Sequence, residues 1–181
     1  MLILILGVAL WWAPHLWKRL APESRASWGE KGKGLVAGAL VVSVLLMIWG
    51  YKTAEGPVWW GRSAALVGIN NLLVLVAFYL FAASGMKTRV TATIRNPQLV
   101  GFALWAVAHL LVNGDLPSIV LFGGLLAWAL VEIALIDRTS WVRPTGPFPA
   151  RKEAMAAAGA LIVMVVVGVI HGWLGPWPFG G

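Results

Sequence analysis

Residues 154–175 read AMAAAGALIVMVVVGVIHGWLG, with no charged side chain and a single histidine, His171. As a helix this stretch rises about 30 Å, the thickness of a bilayer's hydrocarbon core. A helix apolar on every side has to be buried all round. A chain of 181 residues has no aqueous core large enough to bury this block and the similar ones elsewhere. The stretch therefore reads as a transmembrane helix. Outward from it, five more apolar blocks are bounded by charge, proline or glycine: Leu2 to Trp17, Leu35 to Gly50, Ala64 to Gly85, Pro97 to Asn113, and Pro117 to Ile136. The expected fold is all-α, an integral membrane bundle of six transmembrane helices, with residues 1–181 forming a single domain. The first two blocks are short and need flanking residues or a thinned bilayer to span. No basic segment precedes the first block, and Trp11, Trp12, Pro14 and His15 make a poor cleavage site, so it reads as a permanent helix rather than a signal peptide.

Composition agrees with this reading. Hydrophobic residues make up 60% and charged residues 12%, with a mean hydropathy of +0.82, which excludes an ordinary water-soluble domain. The net charge of +7 could suggest an anionic partner, but of the 14 Lys and Arg residues all except Lys52 and Arg62 lie in the connectors after the first, third and fifth blocks. Alternation of this kind sets membrane orientation. It places those three loops in the cytoplasm and both termini outside, periplasmic in a bacterial inner membrane. The connector holding Glu55, Pro57 and Trp59-Trp60, and the Gly175–Pro178 tail, read as outer caps. The Arg138–Lys152 loop, with Pro144, Pro147 and Pro149, reads as extended. Most of the 12 tryptophans sit near block ends as an interfacial belt, whereas Trp105 and Trp128 fall inside helices. With no cysteine, disulfides, thiolate metal sites, a Cys nucleophile and covalent haem attachment are excluded.

Ionisable groups inside a bilayer are costly and mark function. His109 and His171 each lie about 6 Å below the outer end of their helix, at a rise of ~1.5 Å per residue. Counted from the inner ends the depths are ~18 Å and ~26 Å, but basic loops blur those boundaries and the outer count is preferred. Gln98, Gly101, Trp105, His109 and Asn113 form one polar stripe, and Ala157, Ala160, Met164, Gly168, His171 and Gly175 form a face of small residues. Such a face either packs closely on a neighbour or leaves room for a flat ligand. Two imidazoles at one depth beside it suit a porphyrin iron. Asn70 and Asn71 lie at the same level and are candidate supporting donors. The other reading makes each histidine an interhelical hydrogen bond. His15, near the inner end of its helix, is a weaker metal candidate. Glu132 lies at comparable depth and could pair with it, sharing a proton or forming a structural pair, or could instead snorkel to the inner surface.

The stretch from Asn96, NPQLVGFALWAVAHLLVNGDLPSIVLFGG, resembles the signature region of the NnrU family, chiefly in LWAVAHLLVNGD followed by LFGG. NnrU proteins are membrane proteins found with denitrification genes and are similar to zeta-carotene isomerases. His15, the IWGY of Ile48–Tyr51 and the late His171 extend the resemblance over most of the chain. It implies haem b with histidine ligation, carried here by His109 in the AHLL position and by His171. Two positions depart from the pattern: Asn96-Pro97 stands where members commonly carry His-Pro, and Gly172 follows His171 where Pro is common. The resulting expectation is a bis-histidine haem protein for redox, sensing or polyene cis–trans isomerisation, with Trp105, Asn113 and Asn70 around the cofactor. Its partners are then the lipid bilayer and an apolar polyene or other small hydrophobic ligand. The alternative is a cofactor-free accessory or assembly factor for nitrite or nitric oxide reductase. A transporter ranks third, because the chain has no internal repeat and no broken helix pair.

Overall fold

The computed structural model describes residues 1–180. It contains eight α-helices: α1 (Leu2–Leu20), α2 (Pro22–Ser27), α3 (Gly29–Thr53), α4 (Ala64–Met86), α5 (Pro97–Val112), α6 (Leu116–Ser118), α7 (Gly124–Asp137) and α8 (Ala150–Leu174). A π turn, Ile119–Gly123, joins α6 and α7 into one continuous helix, Leu116–Asp137. No strand is formed among the described residues. The helices start where the chain offers a local signal. Proline, which has no N–H to lose, opens α2 and α5, the Ser63 hydroxyl accepts from Leu66 N–H (3.3 Å) at the start of α4, and Asp115 accepts from Ser118 N–H (2.8 Å) at α6. Four helices are long and apolar enough to cross a membrane: α3, α4, the α6–α7 helix and α8. α1 and α5 pack among them. The second block extends beyond its expected Leu35 start, because Glu30 and Lys33, paired at 2.6 Å, let the helix continue past the apolar stretch into water.

The packing order is α3, α1, α7, α5, α4, α8, an open curved row with α3 and α8 at its edges. Both edge helices expose broad apolar faces, such as Val41, Leu45 and Trp49 on α3 and Ile162, Val165 and Val166 on α8. Small residues set the close approaches. A Cβ on Gly50 would run into the backbone of Leu4, while Ser43 Oγ donates to the Gly7 carbonyl (2.8 Å), so α1 and α3 are antiparallel. Gly101 sits against the Ala77 carbonyl between α5 and α4. Gly124 meets Val8, and its carbonyl accepts from Trp12 Nε1 (3.1 Å). Farther along the same seam Arg19 meets Glu132, so α1 and α7 run parallel. Each antiparallel or parallel pairing is consistent with helices that alternate in direction. One end of the bundle then gathers both chain termini, and the other gathers the basic loops. At the terminal end the second connector folds down as a cap. Trp59 N–H donates to Gly114 O (2.9 Å), Leu116 N–H to Pro57 O (3.0 Å) and Trp60 Nε1 to Leu110 O (2.8 Å).

Candidate ligand site at the histidine end

His109 lies in the last turn of α5 and its Nδ1 bonds the Trp105 carbonyl at 2.9 Å. A carbonyl only accepts, so Nδ1 carries the proton and the neutral ring keeps its lone pair on Nε2. His171 is wired in the same way to Pro176 O (2.9 Å), and His15 to Trp11 O (2.7 Å). Fixing one ring nitrogen on a carbonyl is how metal-binding histidines are oriented. α5 and α8 both run antiparallel to α4, through Asn70–Ala108 and Ala77–Gly101 on one side and Arg62–Trp177 and Tyr79–Glu153 on the other, so the two imidazoles lie at the same end of the bundle.

The surroundings of His109 are aromatic. Its ring stacks on Phe122 (centroids 4.6 Å, interplanar angle 29°) and leans on Trp105 (4.8 Å). Phe122 belongs to the π turn, where the wider helical spacing re-aims side chains, a device common at functional sites. The same segment is tied down at its start: Ser118 Oγ donates to Asp115 Oδ2 (2.7 Å) and shares a hydrogen bond with the Tyr51 hydroxyl (2.8 Å). Sequence reading missed Phe122, Asp115 and Ser118. An Asp-x-x-Ser helix start around Pro117 was the available signal. Asn113 Nδ2 donates to the His109 carbonyl (2.9 Å), so it caps α5. Buried Asn70, with its amide in the orientation that satisfies both ends, donates from α4 to Ala108 O (2.9 Å) and steadies the turn that carries His109.

Two expectations about surfaces change. The small-residue face of α8 is partly filled by the chain's own tail: Phe179 covers Gly168, Trp177 covers Gly172, and Arg62 Nη2 anchors the tail at Trp177 O (2.6 Å). The polar stripe of α5 also divides, with Gly101 against α4 and Trp105 and His109 against Phe122.

The His15–Glu132 pairing is not formed. Glu132, 2% exposed, accepts from Arg19 Nε at 2.8 Å, and His15 instead lies between the rings of Trp11 (4.8 Å) and Trp128 (4.6 Å). The register of the parallel α1–α7 seam sets His15 beside Trp128 and Arg19 beside Glu132, one turn apart. From His15 a continuous series of rings, Trp128, Phe102 and Trp105, runs to His109, with neighbouring centroids between 4.6 and 5.2 Å.

Among the described residues no group of three or more His, Cys, Asp or Glu is placed to hold a metal ion. A porphyrin iron asks for no such group, since the macrocycle fills four positions and the protein supplies the axial ligands. An imidazole with Nε2 unbonded, as at His109 and at His171, is the kind of donor such an iron takes.

The fold and the site together describe an all-helical protein of the membrane type. The NnrU protein family matches over residues 3–178, and the chain belongs to that family. No curated protein and no solved structure matches it.

Proposed function

We propose that this NnrU protein binds haem b through His109 and His171 and uses it for redox, sensing or the cis–trans isomerisation of an apolar polyene in the denitrification setting of its family. One observation carries the reading: both imidazoles sit in the last turn of their helices at the same end of the bundle, with Nδ1 committed to a backbone carbonyl and Nε2 unbonded. A haem held there supplies one-electron chemistry and a Lewis-acidic iron. The chain's own residues orient and exclude. Phe122 fixes the plane of the His109 ring, the Trp105 carbonyl fixes its tautomer, and Asn70 and Asn113 hold the backbone on either side of it. Trp105 and Phe122 cover the His109 ring with apolar surface.

In this reading six helices, α1, α3, α4, α5, α6–α7 and α8, cross a bacterial inner membrane. The basic ends lie in the cytoplasm and both termini in the periplasm, as the charge alternation and the alternating helix directions support. The test is the absorption spectrum of detergent-purified protein, oxidised and reduced. A Soret band lost in the double variant His109→Ala/His171→Ala is expected. Colourless protein that refuses added haem, yet co-purifies with a nitrite or nitric oxide reductase factor, points instead to the accessory role.

A further inference from the structure

The basic end of the bundle holds a second built site, remote from the histidines. A cavity of about 550 Å³ opens between the end of α4, the 3₁₀ turn Arg89–Ala92 and the start of α8. Its lining is apolar in part, from Val90, Ile94 and Phe148, and polar in part, from Tyr79, Arg89 and Glu153. The carboxylate is already committed. Glu153 Oε2 accepts from the Tyr79 hydroxyl (3.1 Å), and Oε1 accepts from the Arg89 backbone N–H (2.6 Å), which clamps the 3₁₀ turn onto α8. The Arg89 guanidinium, by contrast, makes no ion pair and no hydrogen bond among the described residues. Lys87, Arg151 and Lys152 flank the same mouth in sequence.

We propose that this cavity binds one anionic phospholipid, with the phosphodiester on Arg89 and the glycerol and upper acyl carbons against Val90, Ile94 and Phe148. The location supports a lipid. The cavity lies at the ends of α4 and α8, two helices long and apolar enough to cross the bilayer, and so at headgroup level. A free inorganic anion would satisfy the guanidinium but leave the apolar lining without a partner. The Glu153 carboxylate is engaged by Tyr79 and the Arg89 N–H, so the group left to bind a headgroup is the Arg89 guanidinium, which takes an anion. Guanidinium forks match phosphate oxygens two at a time, and basic pockets at the ends of transmembrane helices take anionic headgroups. The Tyr79–Glu153–Arg89 clamp holds the turn that presents the guanidinium, so the site is organised before the lipid arrives.

The experiment reconstitutes the full chain in vesicles of phosphatidylethanolamine with a minor share of phosphatidylglycerol, extracts it into detergent and counts retained lipid by native mass spectrometry. Wild type retains phosphatidylglycerol in preference to its share of the mixture. Arg89→Gln lowers that preference roughly tenfold, the loss of one charge-assisted contact. Phe148→Ala, which lies outside every helix, lowers it as well. Lys31→Gln, which removes a cation from the same end without touching the cavity, leaves it unchanged, and millimolar inorganic phosphate does not displace the lipid. Equal retention by wild type and Arg89→Gln, an equal loss in Lys31→Gln, or displacement by phosphate overturns the proposal.

Discussion

Trp11 and His15 on α1 repeat the spacing of Trp105 and His109 on α5, and the local result is the same. Each imidazole bonds the tryptophan carbonyl one turn back and lies against two aromatic rings. What differs is the tertiary setting. His109 has a second histidine at the same end of the bundle, a buried Asn70 bracing its turn and Phe122 of the π turn stacked on its ring. His15 has only Trp11, Trp128 and, one turn on, an ion pair already closed between Arg19 and Glu132. On the proposed reading, this shared four-residue motif yields one histidine placed for a ligand and one placed for packing. The seam around His15 also carries buried polar atoms without partners, the indole N–H groups of Trp11 and Trp128 and Glu132 Oε1.

If the inner seam is structural, breaking it should cost stability without touching the outer site. Arg19→Ala strips the partner from a carboxylate that is almost wholly buried and should destabilise by about 3 kcal/mol or more, read as the midpoint of denaturant unfolding in detergent micelles. Glu132→Gln should cost less, because the Arg19 side chain is 32% exposed and reaches water on its own. Equal losses would show that the pair is not what holds the seam. Gly124→Leu forces a side chain into Val8 and should cost about 1–3 kcal/mol by overpacking. Gly168→Ala meets only the ring of Phe179 on the movable tail and should cost well under that, with the difference read by the same unfolding assay.

At the other end, Ser118→Ala removes the link between Tyr51 and Asp115 and should cost about 1 kcal/mol. It should also loosen Phe122 on His109, so any haem band should broaden although no ligand has changed. Smallest of all, Arg62→Gln frees the tail from an exposed bond, with a loss of about 0.5 kcal/mol or less and a measurable gain in proteolysis after Trp173.

Much of the architecture was legible in the apolar blocks, since length and hydropathy alone pick out helices that cannot live in water. The placing of His109 and His171 in the last turns of α5 and α8 was legible by counting each back from its helix end, because helical rise is fixed by backbone geometry. Interhelical register was not legible. Glu132 meets Arg19 and not His15 because Gly124, Val8 and Trp12 set the sliding position of α7 on α1, a matter of close packing that periodicity does not encode. The π turn that delivers Phe122 hides in an apolar run that reads as plain helix. The filling of Gly168 and Gly172 by Phe179 and Trp177 depends on the tail turning back after Gly175, which composition alone left as a loose cap.

Low-temperature electron paramagnetic resonance of the ferric, haem-loaded protein tests the division between the two histidine motifs most directly. A bis-imidazole low-spin signal in wild type should give way to a high-spin signal in His109→Ala and in His171→Ala taken singly, and should persist unaltered in His15→Ala. A low-spin signal that survives both outer substitutions, or one that is lost in His15→Ala, would contradict the account.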